Sequence, residues 1–159
     1  SGVLAGSGSA TFGDGVGTNA KFYYPRGVTI DPTGTYAYVA DSSNHRIRRI
    51  TIATGDVMTF AGSSSVGITS ATGTNARFYN PYDVVYSKNS ATEYLYVADR
   101  NNHAIRRIEV STQVVTTVAG SGSFGFGDVD NAIGSYLYYP SGIDVSADGQ
   151  YVIISDEYN

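Results

Sequence analysis

Apolar residues in this chain fall in short, nearly unbroken runs: YAYVA from Tyr36, VVTTVA from Val114 and YVIIS from Tyr151. A strand with one wet face alternates polar and apolar positions, whereas a strand covered on both faces reads as a continuous run of this kind. Turn chemistry bounds the runs: a Pro/Gly cluster at 32–35, Ser-Ser-Asn at 42–44 and Thr-Gly-Asp at 54–56. The pattern predicts strands at 27–31, 36–41, 45–52 and 57–61. A second set follows at 83–86, 94–99, 103–110 and 114–119, and a third begins at 142–145 and 151–156. Val3 and Leu4 read as the tail of a strand before the first set. The nearest approach to a helix is one turn at 19–22, repeated at 75–78.

The sets are copies of one another. YAYVADSSNHRIRRI, from Tyr36, returns as YLYVADRNNHAIRRI, from Tyr94, and starts again as YVIISDEYN at Tyr151. Three landmarks keep the same period. Ala5-Gly6 recurs at Ala61-Gly62 and Ala119-Gly120, Pro25 at Pro81 and Pro140, and Asp41 at Asp99 and Asp156, spacings that all lie near 57 residues. A fixed period in this range marks repeat architectures. Four short antiparallel strands per repeat, each sheet stacked on the next, describe β-propeller blades. The expected organisation is the end of a preceding blade at 1–6, a blade at 7–62, a second at 63–120 and a partial third at 121–159 without its third strand. That amounts to about 2.75 repeats and a tally of eleven strands, too few to close a ring.

Composition narrows the functional classes. Net charge is −4 with only two lysines among the 159 residues, so a clustered positive field for nucleic acid is not expected. Cysteine is absent, which removes disulfides, thiolate metal sites and a cysteine nucleophile. No run reaches membrane-spanning length. Fourteen tyrosines with abundant Gly and Ser/Thr suit strands and tight turns, and few lysines, many Ser/Thr/Tyr and the long connectors suit an extracellular or cell-surface protein; the sequence has no Asn-X-Ser/Thr glycosylation acceptor.

The turn after the second strand reads Asp41-Ser-Ser-Asn44-His45 in one copy and Asp99-Arg-Asn-Asn102-His103 in the next; the third copy ends at Asp156-Glu-Tyr-Asn159. With the preceding YVAD and the upstream proline, this resembles the NHL repeat, although Arg or Ala stands where the motif's Leu would be. The resemblance implies an all-β fold of NHL-type β-propeller blades, four antiparallel strands each, here as an incomplete ring. It does not imply one function, since such propellers serve as protein-binding, RNA-binding, enzymatic or extracellular modules. The long Gly-rich connectors resemble those of expanded NHL arrays in large, repetitive, secreted proteins of microbial eukaryotes.

Candidate residues follow from the repeat. Asp41, Asn44, His45, Asp99, Asn102, His103, Asp156 and Asn159 define a structural turn. The aspartates are expected to accept N–H groups of the following turn, and the histidines to brace that turn through their ring nitrogens, rather than to bind metal or act as bases. The repeated arginines at 46, 48, 49, 106 and 107 are expected to pair with the repeat aspartates or the neighbouring blade. Gly13-Asp14-Gly15 lacks the lysine and helix of a phosphate loop and reads as a linker between blades. Tyr23, Tyr24, Tyr79, Tyr82, Tyr138 and Tyr139 either pack the connectors or form aromatic platforms for sugar or peptide. Val3, Leu4, Tyr151, Val152, Ile153 and Ile154 are candidate assembly edges.

No catalytic set departs from the repeat, so no cofactor and no enzymatic activity are expected. The expected role is a non-catalytic structural or interaction module in an extracellular scaffold or fibre. Its partners would be further copies of itself or further blades of a longer chain, possible glycan included, and no nucleic acid. A discrete protein- or glycan-binding propeller is the alternative, with a lyase-like enzyme or RNA-binding propeller behind it. The open ends leave three readings: a window of a longer chain, association with copies of itself, or a stable open fragment.

Overall fold

The computed structural model describes residues 2–89, 91–125 and 134–159. The fold is all-β, with three antiparallel sheets stacked as successive blades. The first sheet takes in β1 (Gly15–Val16), β2 (Pro25–Ile30), β3 (Tyr36–Asp41), β4 (Arg46–Thr51) and β5 (Asp56–Gly62), ordered β1-β5-β4-β3-β2. The second contains β6 (Pro81–Asn89), β7 (Thr92–Asp99), β8 (Ala104–Glu109) and β9 (Val115–Ala119) in sequential order. The third pairs β10 (Pro140–Val145) with β11 (Val152–Asp156).

The blade faces meet through apolar side chains, as the runs require. Tyr38, Ala40, Ile47 and Phe60 of the first sheet bury against Phe78, Val84, Leu95 and Val97. Tyr38 and Phe60 sit edge to face, ring centroids 5.1 Å apart, a geometry worth about 0.5–1.5 kcal/mol beyond burial. Ala98 and Ile105 of the second sheet bury against Ile143 of the third. The remaining face of the first sheet, with Val39, Ile50 and Val57, is covered in part by its own connector through Ala5, Ala20 and Phe22.

Three local expectations need correction. Val3 and Leu4 are irregular and exposed, not a strand tail. The single helical turn lies earlier than 19–22 and 75–78: it is a 3-10 turn at Gly17–Asn19 and Gly73–Asn75, and the following Ala20 and Ala76 are extended. The Gly-rich connector is more than a linker. Gly15 and Val16 pair with Val57 and Asp56 as a short fifth strand, and Gly17 N–H reaches Gly55 O at 2.9 Å. The second connector repeats this. Gly73 N–H donates to Gln113 O, and Val115 N–H to Ala71 O, both at 2.9 Å. These two connectors thereby cap the outer edges of their blades, where an unpaired strand would be a template for aggregation. The middle of the third connector lies outside the described residues.

The Ala-Gly landmark has a steric reason. Gly62 and Gly120 adopt φ of +92° and +81°, and a Cβ on either would lie 2.5 or 2.2 Å from the carbonyl oxygen of His45 or His103. Only glycine lets the fourth strand leave the sheet this close to the histidine turn.

Candidate functional site

The repeated turn is a buried polar clamp. Asp41 is fully buried and accepts three donors: the Tyr23 N–H (2.8 Å), the Asn44 side-chain amide (2.9 Å) and the Arg48 guanidinium (2.7 Å). Asp99 repeats the set with Tyr79 N–H (2.8 Å), Asn102 (2.7 Å) and Arg106 (3.1 Å). Asp156 accepts from Tyr138 N–H at 2.7 Å and from the Asn159 amide. The expectation of an Asx-type bond to the following turn fails here: the backbone donor comes from the connector that precedes the blade. The arginines complete the clamp. Arg48 donates to Lys21 O, Gly13 O and the Asp14 carboxylate, and Arg106 to Arg77 O, Thr69 O and Ser70 Oγ. Ile47 and Arg48 point to opposite faces of β4 and both are buried, as are Ile105 and Arg106 of β8, because the blade is covered on both sides; opposite them β5 and β9 each carry one extra residue, Phe60 and Val118, as a β-bulge. Burial pushes the Asp99 carboxyl up to about 6, against the pull of Asn102, the Tyr79 amide and Arg106.

The histidines look outward to the next blade rather than bracing their own turn. His45 and His103 adopt the left-handed conformation, φ 56° and 49°. Their Nδ1 atoms accept the N–H of Asn80 (3.1 Å) and Tyr139 (3.2 Å), each in the connector of the following blade. Burial, and for His45 the nearby Arg46, hold both rings below the usual imidazole range, as an acceptor nitrogen requires.

A cleft of about 250 Å³ opens between the first two blades at this same end of the strands. Tyr24, Arg26, Ser42 and Ser43 line one side, and Asn80, Tyr82, Arg100 and Asn101 the other. Arg26 lies 5.0 Å from the Tyr82 ring and 6.0 Å from the Tyr24 ring. Arg100 lies 5.5 Å from Tyr82 and 4.4 Å from Tyr139, and Glu157 accepts its Nε and Nη2 hydrogens at 3.1 and 2.7 Å. The result is an alternating Tyr-Arg ladder running from blade to blade.

The sequence-predicted residues divide accordingly. Asp41, Asn44, His45 and their repeats belong to the clamp. Tyr23, Tyr79 and Tyr138 are tied to it through their amides, while Tyr24 and Tyr82 line the cleft. Val152 and Ile154 pack toward the second blade, whereas Tyr151 and Ile153 are exposed. Arg26 and Arg100 were not singled out by the motif. The available signal was their departure from the repeat: Pro-Arg-Gly against Pro-Tyr-Asp, and Asp-Ser-Ser against Asp-Arg-Asn. Among the described residues, no group of three or more His, Asp or Glu side chains is placed to hold a metal, and no helix is long and apolar enough to cross a membrane.

The family model of the NHL repeat matches residues 22–50, the stretch that runs from Phe22 through the first clamp. NHL repeat-containing protein 2 of Homo sapiens is 40% identical over 106 residues, 66% of this chain. The chain belongs to the NHL-repeat family. It spans only 14% of the length of that relative. Among solved structures, an auxiliary nutrient binding protein from Bacteroides thetaiotaomicron superposes with a TM-score of 0.74 at 26% identity, covering 81% of this chain and 34% of that one. An auxiliary nutrient binding protein from Bacteroides ovatus gives 0.71 at 25%, covering 87% and 35%. In this NHL chain the family motif is the clamp, and the cleft lies beside it.

Proposed function

We propose that this chain is a non-catalytic interaction module that holds a protein partner on the face where the Tyr24–Arg100 cleft opens. The observation that carries the reading is the division of labour at that face. The chemistry-bearing residues of the motif are already engaged: both aspartates accept three donors each, both arginines bridge connector carbonyls, and both histidines accept a neighbouring amide. What remains available at that face is a surface of Tyr, Arg, Ser and Asn, the composition of interaction hot spots and their polar surround. A photo-crosslinking residue at position 43, beside the cleft, is expected to give one discrete protein adduct in cells producing the protein. The same residue at position 33, in the turn at the far end of β3, is expected to give none. Adducts from both positions, or from neither, would refute the reading.

Addition of further blades is a second reading, favoured by the open face of the first sheet. Val28 and Ile30 are 62% and 56% exposed, while their repeat equivalents include Val84 and Ile143, 2% and 8% exposed against a preceding blade. A blade from the same or another chain would cover them. Negative-stain images should then show discrete rings or long particles with an axial repeat; small open particles alone would count against it.

A further inference from the structure

Eight residues line the cleft, and all eight stand in slots where the repeats disagree. The slot before the proline holds Tyr24, Asn80 and Tyr139; the slot after it holds Arg26, Tyr82 and Ser141. The two turn slots hold Ser42-Ser43, Arg100-Asn101 and Glu157-Tyr158. Between and beside them, the clamp Asp and Asn and the proline never change, and His45/His103 and Arg48/Arg106 agree. A constant frame with a varied rim is the arrangement of a binding surface on a rigid scaffold.

We infer that this cleft is a carboxylate-binding site that takes an acidic side chain of a polypeptide partner, with Arg26 as the cation that holds it. The inference rests on the interaction-module reading and names its ligand chemistry. Arg26 is exposed, and among the described residues it has no carboxylate partner; Arg100, across Tyr82, is already engaged by Glu157. Stacking beside Tyr82 and Tyr24 orders the Arg26 fork before anything binds, which lowers the entropy lost on pairing.

The rim is held in place by the frame. Tyr24 and Asn80 precede prolines yet adopt φ of 48° and 52°, a combination that costs energy and collects at functional positions. At Asn80 it is fixed by the bond from its N–H to His45. The Asn101 side-chain amide donates a hydrogen bond to Asn80 Oδ1 at 3.4 Å, and the Asn80 amide donates to Ser42 O at 3.5 Å, which ties the two sides of the cleft together.

Other ligand classes fit less well. A sugar needs a bare aromatic face, but two guanidiniums lie within 5.5 Å of the Tyr82 ring centroid, and Tyr23 and Tyr24 stack on each other. Nucleic acid needs many uncompensated cations, and of the two arginines that line the cleft Arg100 is paired with Glu157, which leaves Arg26, in a chain of net charge −4. A volume near 250 Å³ lies below the usual range for a small-molecule pocket and accommodates one or two side chains.

The test is selection of random heptapeptides displayed on phage against the full 159-residue chain, followed by affinity measurement of the selected peptides. The expected result is enrichment of Asp- or Glu-containing peptides whose affinity falls by about tenfold or more in Arg26→Ala and by less in Arg26→Lys. Thermal melts check that both variants fold; Arg26→Gln is the substitute if Ala does not. Enriched peptides without acidic residues, or acidic ones indifferent to Arg26→Ala, overturn the carboxylate assignment while leaving the interaction module standing. A uronate-bearing glycan bound in place of every peptide overturns the polypeptide assignment. No enrichment at all, with no crosslinked partner from position 43, removes both readings together.

Discussion

The clamp and the cleft lie within a few residues of each other in every repeat, and they are built on opposite terms. In the clamp, Asp41 and Arg48 are fully buried, as are Asp99 and Arg106, and the donors to the two aspartates recur atom for atom. In the cleft the residue types change from blade to blade, all the lining residues but Ser42 are partly or wholly exposed, and guanidiniums lie beside rings instead of reaching carbonyls. A buried ionic network is tolerated only when every member is satisfied, so each of its residues constrains the others. An exposed side chain is bound by no such condition and can change without unfolding the blade. Repetition therefore marks what holds this propeller together, and departure from repetition marks what it can offer to a partner.

The comparison is broken most directly at its buried end. Arg106→Ala leaves the Asp99 charge without its guanidinium and two connector carbonyls without a donor, and should cost roughly 3–5 kcal/mol. Urea denaturation should show it as a large fall in midpoint; a shift within about 0.5 kcal/mol would mean the clamp is incidental. Gly27→Ala comes next. Its new Cβ would lie 2.0 Å from Asp83 Oδ1 and 2.7 Å from Asp83 Cα, across the junction of the first two blades. Overpacking of that kind costs about 1–3 kcal/mol, and faster amide exchange along β2 and β6 would report it.

The histidine bridges give the comparison a pH axis. Burial holds both rings below their usual pKa, and the neutral form accepts the next blade's amide. Their stabilising contribution is present above the unfolded value, about 6.5, and is lost as pH falls through the lower folded value. Asp99 works in the opposite sense. Raised to about 6, it contributes stability that is present below the unfolded value of about 3.9 and is lost as pH rises through 6. A His45→Asn/His103→Asn variant keeps residues that accept the left-handed backbone, so subtracting its pH–stability curve from that of the parent isolates the histidine contribution. The difference should shrink toward acid below about pH 6.5; a constant difference would place the histidines outside the bridge. At the exposed end, Tyr24→Ala and Arg26→Ala should each change stability by less than about 0.5 kcal/mol. A larger loss would make the cleft part of the frame.

Much of the fold is legible in the residues themselves. The runs at Tyr36, Tyr94 and Tyr151 mark strands buried on two faces, and the Pro, Asp and Ala-Gly landmarks mark where strands begin and end. The tally of eleven strands also matches among the described residues, yet for a different reason: Val3-Leu4 contributes none, and Gly15–Val16 takes its place. Two residues among glycines carry little hydrophobic signal, and only the nearby edge of β5 makes them a strand. The clamp was half legible. Which residues form it follows from repetition, but the donor to Asp41 is an amide 18 positions upstream, and the acceptor for Asn80 N–H is a histidine 35 positions before it.

The cleft was least legible of all, because Arg26, Tyr82 and Arg100 carry no shared pattern and meet only when one blade stacks on the next. Periodicity and turn chemistry are local properties, encoded by the order of side chains along a strand, and they determined the blades and the principal strands of each. Which carboxylate faces which guanidinium, which connector caps which edge and which tyrosine lies beside which arginine depend on distances between chain segments far apart in sequence. Those were decided by the packing of blade against blade.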